Sequence, residues 1–191
     1  AGSGVKVASV ATAFPSGLSS LDVKLRDVET ALAAGADEID MVIDRGAFLA
    51  GDERRVFDEI AAVKLLCGDV HVKAILEAGE LGSYEAVRRA SDLALDAGAD
   101  TIKTSTGKIG VSATLPIALA MCQALHAFHR RTGARRGFKA AGGIRTSKSA
   151  LTYLVLIDEV LGADWLDPQL FRIGASSLLD DLLLQREKER T

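Results

Sequence analysis

Residues 98–108 read GADTIKTSTGK, and how this stretch is read decides the fold. At first sight it offers a phosphate loop. That motif needs a glycine five residues before its Gly-Lys pair and a hydroxyl residue just after the lysine. The positions concerned are Ile102 and Ile109, so the motif is excluded. What remains is a short apolar strand over 101–105 with a lysine in its middle. Side chains of a strand alternate between faces, which places Thr101, Lys103 and Ser105 on one side and Ile102 and Thr104 on the other. A lysine in a covered strand is costly unless that face meets polar partners. The sheet must therefore have a polar inner face.

Working outward, a rhythm emerges. Helical apolar runs end in glycine at Gly35, Gly68, Gly98, Gly133 and Gly162, each followed within a few residues by a short hydrophobic strand. Glycine suits the left-handed position past a helix end. The spacings of 33, 30, 35 and 29 residues are the length of one strand-plus-helix unit. We read strands over 5–13, 38–43, 70–77, 101–105, 137–141 and 171–174, with helices near 18–34, 53–66, 83–97, 115–131, 147–161 and 176–188. Such alternation means a parallel sheet covered by helices.

An open doubly wound sheet gathers its ligand groups at one switch point. Here Asp40, Glu77, Lys103 and Lys139 lie on different strands. Alternation also groups Lys73, Ile75 and Glu77, and sets Lys139 between Gly137 and Ala141 with Phe138 opposite. A (β/α)8 TIM barrel has such an inward face, and its strand ends converge on one pocket. We expect that barrel, as a single domain over 1–191. The turns AAGGIRTS and RIGASSLL offer bare backbone N–H groups to an anion, and barrels bind phosphate after strands seven and eight. Counting back makes residues 5–13 the third strand. The chain would then hold the third to eighth units and lack the first two, about 60 residues of a typical barrel of about 250.

Composition narrows the function. Of 191 residues, 48% are hydrophobic, enough for one well-buried core. A net charge of −3 gives no basis for binding nucleic acid or a membrane surface. The longest apolar runs are too short to span a bilayer, and no signal peptide is read. Cys67 and Cys122, far apart in apparent helices, read as reduced core thiols and point to a cytoplasmic protein. His126 and His129 share a helix face without an acidic or cysteine partner, so no metal site is expected. Met41 and Trp165 read as packing.

Lys103 and Lys139 sit on neighbouring strand ends, with Lys73 one strand further back. Close ammonium groups repel, which pushes one toward the neutral amine that attacks a carbonyl. One inward lysine alone would be read as a structural ion pair with Asp40 or Glu77. Three around one mouth with glycine-rich loops favour Schiff-base chemistry, and spacing leaves open which lysine is the nucleophile. Glu77 and Lys73 read as a barrel-lining ion pair.

Five ordered motifs, ADEIDMVI, ILEAGEL, IKTSTGK, GFKAAGGIRT and FRIGASSLL, together with the opening VKVASVATAFPSG, resemble the deoxyribose-phosphate aldolase family along nearly the whole chain. The resemblance implies a class I aldolase on a (β/α)8 barrel. Its reaction would be the reversible cleavage of 2-deoxy-D-ribose 5-phosphate to D-glyceraldehyde 3-phosphate and acetaldehyde, in deoxyribonucleoside catabolism, with no metal or organic cofactor. It also implies a homo-oligomer, dimer or tetramer. By motif, Lys103 would form the Schiff base, Lys139 would lower its pKa and share in proton transfer, and Asp40 would complete a proton relay through a water. Phosphate would rest on Gly107, Lys108, Gly142, Gly143, Gly174, Ser176 and Ser177, with Thr106 near the sugar and a helix N-terminus near Ser176 aimed at the anion. Lys108 has a rival reading as a solvated residue. The sequence departs from the family at Ala140, where proline is usual, at Asp44-Arg45-Gly46, and in the tail QREKERT, which lacks a terminal tyrosine. The first two strands of the family add polar groups to the pocket rim. The competing expectations are a non-catalytic sugar-phosphate-binding fragment and another lysine aldolase such as a transaldolase.

Overall fold

The computed structural model describes residues 4–188, so the last three residues of the charged tail lie outside the described residues. Strands and helices alternate in chain order: β1 (Ala8–Ala11), α1 (Leu21–Ala33), β2 (Glu38–Val42), α2 (Arg45–Leu49), α3 (Glu53–Cys67), β3 (His71–Ile75), α4 (Tyr84–Asp96), β4 (Thr101–Lys103), α5 (Leu115–Thr132), β5 (Gly137–Ala141), α6 (Ser147–Leu161), β6 (Phe171–Gly174) and α7 (Leu178–Lys188). Short 3-10 turns lie at Ala78–Glu80 and Ala163–Trp165. The six strands form one parallel sheet in the order β1-β2-β3-β4-β5-β6, each paired with the next.

The sheet is curled. Arg172 on β6 reaches Glu38 on β2 at 2.6 Å. In a flat sheet those strands would lie roughly 19 Å apart, at about 4.8 Å per strand, beyond the reach of the two side chains. Only a rolled sheet brings them together. β1 and β6 remain at the two ends of the order, so the rolled sheet is a partial barrel and not a closed ring.

The outer face carries the core. Ile39, Met41, Val72, Ala74, Ile102, Phe138 and Ala140 are fully buried under the helices, as are Val28, Ile60, Val63, Ala94, Met121 and Ile157 from the helices themselves. Trp165 and both cysteines are buried too, the cysteines as free thiols. The five glycines of the repeat all take positive φ, from 55° to 100°. Side-chain oxygens begin the helices: Asp44, Asp52, Ser83, Thr114 and Thr146 each accept a backbone N–H from the first turn. Among the described residues, no helix is long and apolar enough to cross a membrane.

Several boundaries differ from the sequence reading by a few residues, and three differences have a clear local reason. β1 stops at Ala11, short of the expected residue 13, because Thr12 and Ala13 adopt φ of 63° and 58°, which breaks the extended path. Thr12 then completes the ladder by its hydroxyl, which donates to the Val42 carbonyl at 3.0 Å and accepts its N–H at 2.7 Å. β4 ends at Lys103, and Thr104 makes the same exchange with Ala141 at 2.9 Å in both directions. α2 was not expected, because five residues carry too little periodicity to read as a helix.

A buried ion pair also lies outside the barrel interior. Lys24 on α1 donates to Glu59 on α3 at 2.6 Å, with the lysine fully buried. Glu59→Leu should strand that ammonium and cost about 3 kcal/mol, whereas Lys24→Met/Glu59→Leu should recover most of the loss. Urea midpoints of the two variants test this, and equal losses would show that packing alone is at stake.

Candidate active site

Register sets the inner face. Pairing aligns Asp40 with Lys73, Ile75 with Lys103, Lys103 with Lys139 and Lys139 with Arg172. Five neighbouring strands, β2 to β6, thus aim charged side chains at one axis. Asp40 stands at their centre, only 2% exposed. Its Oδ2 accepts from Lys103 Nζ at 2.7 Å and from Lys139 Nζ at 3.0 Å, while Oδ1 accepts from Lys73 Nζ at 2.8 Å. Because one oxygen binds both mouth lysines, their nitrogens can be no farther apart than those two bonds laid end to end. The structure thus brings together Lys103, Lys139 and Asp40, the three residues singled out from the sequence, with Lys73 beside them.

The carboxylate and the lysines act on one another. Burial opposes charge on Asp40, but the ammonium groups of Lys103, Lys139 and Lys73 outweigh it and hold its carboxyl well below the usual range. Burial likewise lowers the pKa of Lys139; the pull of Asp40 opposes this, and repulsion from Lys103 adds to it. Glu38, one layer deeper, also keeps its carboxyl low, at about 2, because hydrogen bonds from Arg172 and Lys73 overcome the cost of burial.

Above the lysines lies a cavity of about 350 Å³. Lys103, Lys139, Thr106, Gly107, Gly142, Gly143, Gly174, Ser176 and Ser177 all line it. Its far wall is backbone. A Cβ at Gly174 would come within 2.9 Å of the Ala141 Cβ and 3.3 Å of the Lys139 Cε, so the bare glycine leaves Lys139 room. Gly142 has φ of 94°, and a Cβ there would strike Ser112 at 2.2 Å. Ser176 and Ser177 immediately precede α7. A larger hollow of about 490 Å³ beside Tyr84 and Val111 shares no residue with this cavity and contains no lysine.

One expected site residue stands apart from the cavity, and one expected ion pair is not formed. Lys108 is exposed and does not line the cavity; its backbone N–H donates to Thr106 Oγ1 at 3.1 Å. Glu77 does not pair with Lys73. It leaves the strand at φ 52°, accepts the Thr106 N–H at 2.9 Å and the Thr106 hydroxyl, and meets Arg45 at 3.4 Å. Lys73 instead bridges Asp40 and Glu38, the latter at 2.5 Å. The sequence reading missed Glu38, Arg172 and Arg145. Arg145 lines the cavity three residues after the first glycine of the pair at 142 and 143, and a cation beside an anion loop was signal enough to find it. His126 is exposed and His129 packs edge-on against Trp165. No cluster of His, Cys, Asp and Glu suited to a metal occurs among the described residues.

A rolled parallel sheet with a lysine pair on one buried carboxylate, under a glycine-walled cavity, defines a lysine-based βα-barrel site. Comparison with known proteins supplies the family. The model of a family described as DeoC/LacD family aldolase matches residues 6–183. The chain belongs to that aldolase family. It is 50% identical over 182 residues to deoxyribose-phosphate aldolase of Mus musculus and 48% identical over 182 residues to that of Homo sapiens, covering 95% of this chain and 57% of each relative. The chain therefore spans under two thirds of the length of these relatives. Among solved structures, deoxyribose phosphate aldolase from Aeropyrum pernix, described as tetrameric, superposes with a TM-score of 0.75 at 30% identity, over 97% of this chain and 70% of that one.

The charged interior has a consequence for acid stability. Glu38 is held at about 2 against an ordinary 4.5, so its contribution is complete above about pH 4.5 and is lost as the pH falls toward 2. Thermal midpoints across that window should fall more steeply for the wild type than for Glu38→Gln. Parallel curves would show that this carboxylate is not the group responsible.

Proposed function

We propose that the protein is a deoxyribose-phosphate aldolase, cleaving 2-deoxy-D-ribose 5-phosphate reversibly to D-glyceraldehyde 3-phosphate and acetaldehyde through a Schiff base on Lys103. One observation carries the reading: Lys103 and Lys139 share a single oxygen of buried Asp40 at the floor of the cavity. That arrangement supplies an amine, a second cation and a proton acceptor within bonding reach.

The chemistry runs as follows. The free amine of Lys103 attacks C1 of the open-chain sugar, and the carbinolamine loses water to give a protonated imine. Removal of the proton from the C3 hydroxyl lets the C2–C3 bond break. Its electrons flow to the iminium nitrogen, releasing D-glyceraldehyde 3-phosphate and leaving an enamine. A proton delivered to C2 restores the imine, and water then hydrolyses it to acetaldehyde and free Lys103. Asp40 and Lys139, through a bound water, carry these protons. Lys139 is favoured as the partner because it is less buried and lines the cavity more openly, with 17% of its side chain exposed against 8% for Lys103.

The phosphate end of the substrate lies against the N–H groups around Gly107, Gly142, Gly143, Gly174, Ser176 and Ser177, with Arg145 as its cation and Thr106 beside the sugar. Lys108 reaches that anion only by turning inward from its exposed position. The reaction as written needs no metal or organic cofactor. The six units correspond to the third to eighth of an eight-unit barrel, since the anion loops follow β5 and β6 where barrels carry them after strands seven and eight. On this reading residues 1–191 form a single barrel domain. The relationship to the tetrameric neighbour favours a homo-oligomer, and the two buried free thiols favour the reducing cytoplasm.

Borohydride added with acetaldehyde should fix a two-carbon adduct on the peptide bearing Lys103, and none in Lys103→Ala. A label on Lys139, or on no lysine, would defeat the assignment. Asp40→Asn should lower turnover by about 100- to 10,000-fold while the adduct at Lys103 still forms slowly. Calorimetric binding of the sugar phosphate without acetaldehyde release would instead mark a binding protein.

A further inference from the structure

The described mechanism uses the mouth of the barrel. Beneath it lies a second layer that no step has yet employed. Arg172 on β6 grips Glu38 on β2 with both terminal nitrogens, at 2.6 and 3.0 Å, and its Nε donates to the Pro168 carbonyl at 2.8 Å. Glu38 is 1% exposed, and its Oε2 also accepts Lys73. Lys73, fully buried, is thereby strung between Glu38 and Asp40 Oδ1. Neither Glu38 nor Arg172 lines the cavity.

We propose that Glu38 and Arg172 are positioning residues of the active site, fixing through Lys73 the orientation of the Asp40 carboxylate and the balance of charge beneath Lys103 and Lys139. The proposal deepens the aldolase reading and rests on it. Two arguments support it. The first is geometric. With Oδ1 committed to Lys73, Asp40 has only Oδ2 left for the mouth, and both mouth lysines must share it. Were Lys73 released, the carboxylate could turn and give each lysine its own oxygen, and the close approach of the two amines would relax.

The second is electrostatic. The interior sets four cations, Lys73, Lys103, Lys139 and Arg172, against two carboxylates, Asp40 and Glu38. Among the described residues, the other groups facing Glu38 are Lys6, half-exposed at 3.8 Å, and His71, whose pKa burial lowers and whose Nε2 meets Thr101. Asp100, behind His71, is occupied by Lys64 and Arg136. Glu38 and Arg172 are therefore charges of opposite sign that can be altered without touching the mouth. Removing the first makes the interior more positive and favours a neutral amine above it. Removing the second does the reverse.

Opposite signs separate this role from simple bracing of the barrel, which would harm both variants alike. The full chain is labelled with trace acetic anhydride across a pH series, and acetylation of Lys139 is followed by peptide mass spectrometry. At a pH on the rising part of its curve, Glu38→Gln should label several-fold faster than wild type and Arg172→Met several-fold slower. Glu38→Gln/Arg172→Met should return near the wild-type rate, and Arg172→Lys, which keeps the charge, should match it. Equal rates in folded chains, or shifts of one sign in both single variants, would overturn the proposal. Should one single variant fail to fold, the sign of the other and of the double variant decides. Acetylation reads the amine whether or not the sugar is cleaved, so a missing borohydride adduct would count against the aldolase reading alone. In turnover, Glu38→Gln should lower kcat with KM for the sugar phosphate changed less than about two-fold, because the phosphate loops are untouched.

Discussion

One carboxylate organises the interior of this protein. Asp40 binds three ammonium groups with two oxygens, and none of the four groups is well exposed to water. Separately, each lysine would be too costly to bury on a strand. Together with Asp40 they become tolerable, and the same pairing crowds the two mouth amines against one oxygen. The sheet must roll for this to happen, since β2 is separated from β5 by two intervening strands. Curvature and chemistry are therefore one constraint seen from two sides.

The division of labour between the two faces follows. Helices cover an outer face of branched and aromatic side chains that pack without polar partners. The inner face holds ion pairs, small residues and hydroxyls. Gly137 shows how tight that face is, because a Cβ there would lie 2.2 Å from the Thr101 hydroxyl. Strand ends are closed by threonine hydroxyls at 12 and 104, which satisfy a backbone N–H and C=O on the neighbouring strand while freeing the chain to turn. At the second of these, the turn begins the loop that carries Thr106 and Gly107 into the cavity.

Much of this was legible in the sequence, and the boundary of legibility has a physical cause. The alternation of Thr101, Ile102, Lys103 and Thr104 exposed the polar inner face because strand periodicity is local. The glycine rhythm marked the units for the same reason, as a single residue reports the end of its own helix. Glu38 and Arg172 escaped notice because their partnership spans 134 residues and depends on the roll of the sheet. Glu77 was assigned to the inner face by extending alternation past Ile75, but its left-handed backbone ends the alternation and turns the carboxylate toward Thr106. Lys108 was placed by motif, and a motif specifies a position in the chain without fixing where a long side chain points. α2 hid because five residues leave no periodic trace.

The open edges of the rolled sheet bear on how much of the chemistry these six units hold. β1 aligns Ala8 and Val10 with Glu38 and Asp40, so it offers the inner face no charged group. Val10 is 44% exposed, as expected of an edge strand with one neighbour. Every ion pair that holds Asp40 comes from β3, β4 and β5, and the cross-barrel bond from Arg172 fastens β6 to β2 directly. The charged network is thus closed by side chains even though the hydrogen-bonded ladder is not. Whatever lies against the outer edges of β1 and β6 meets a site whose central geometry is already determined from within.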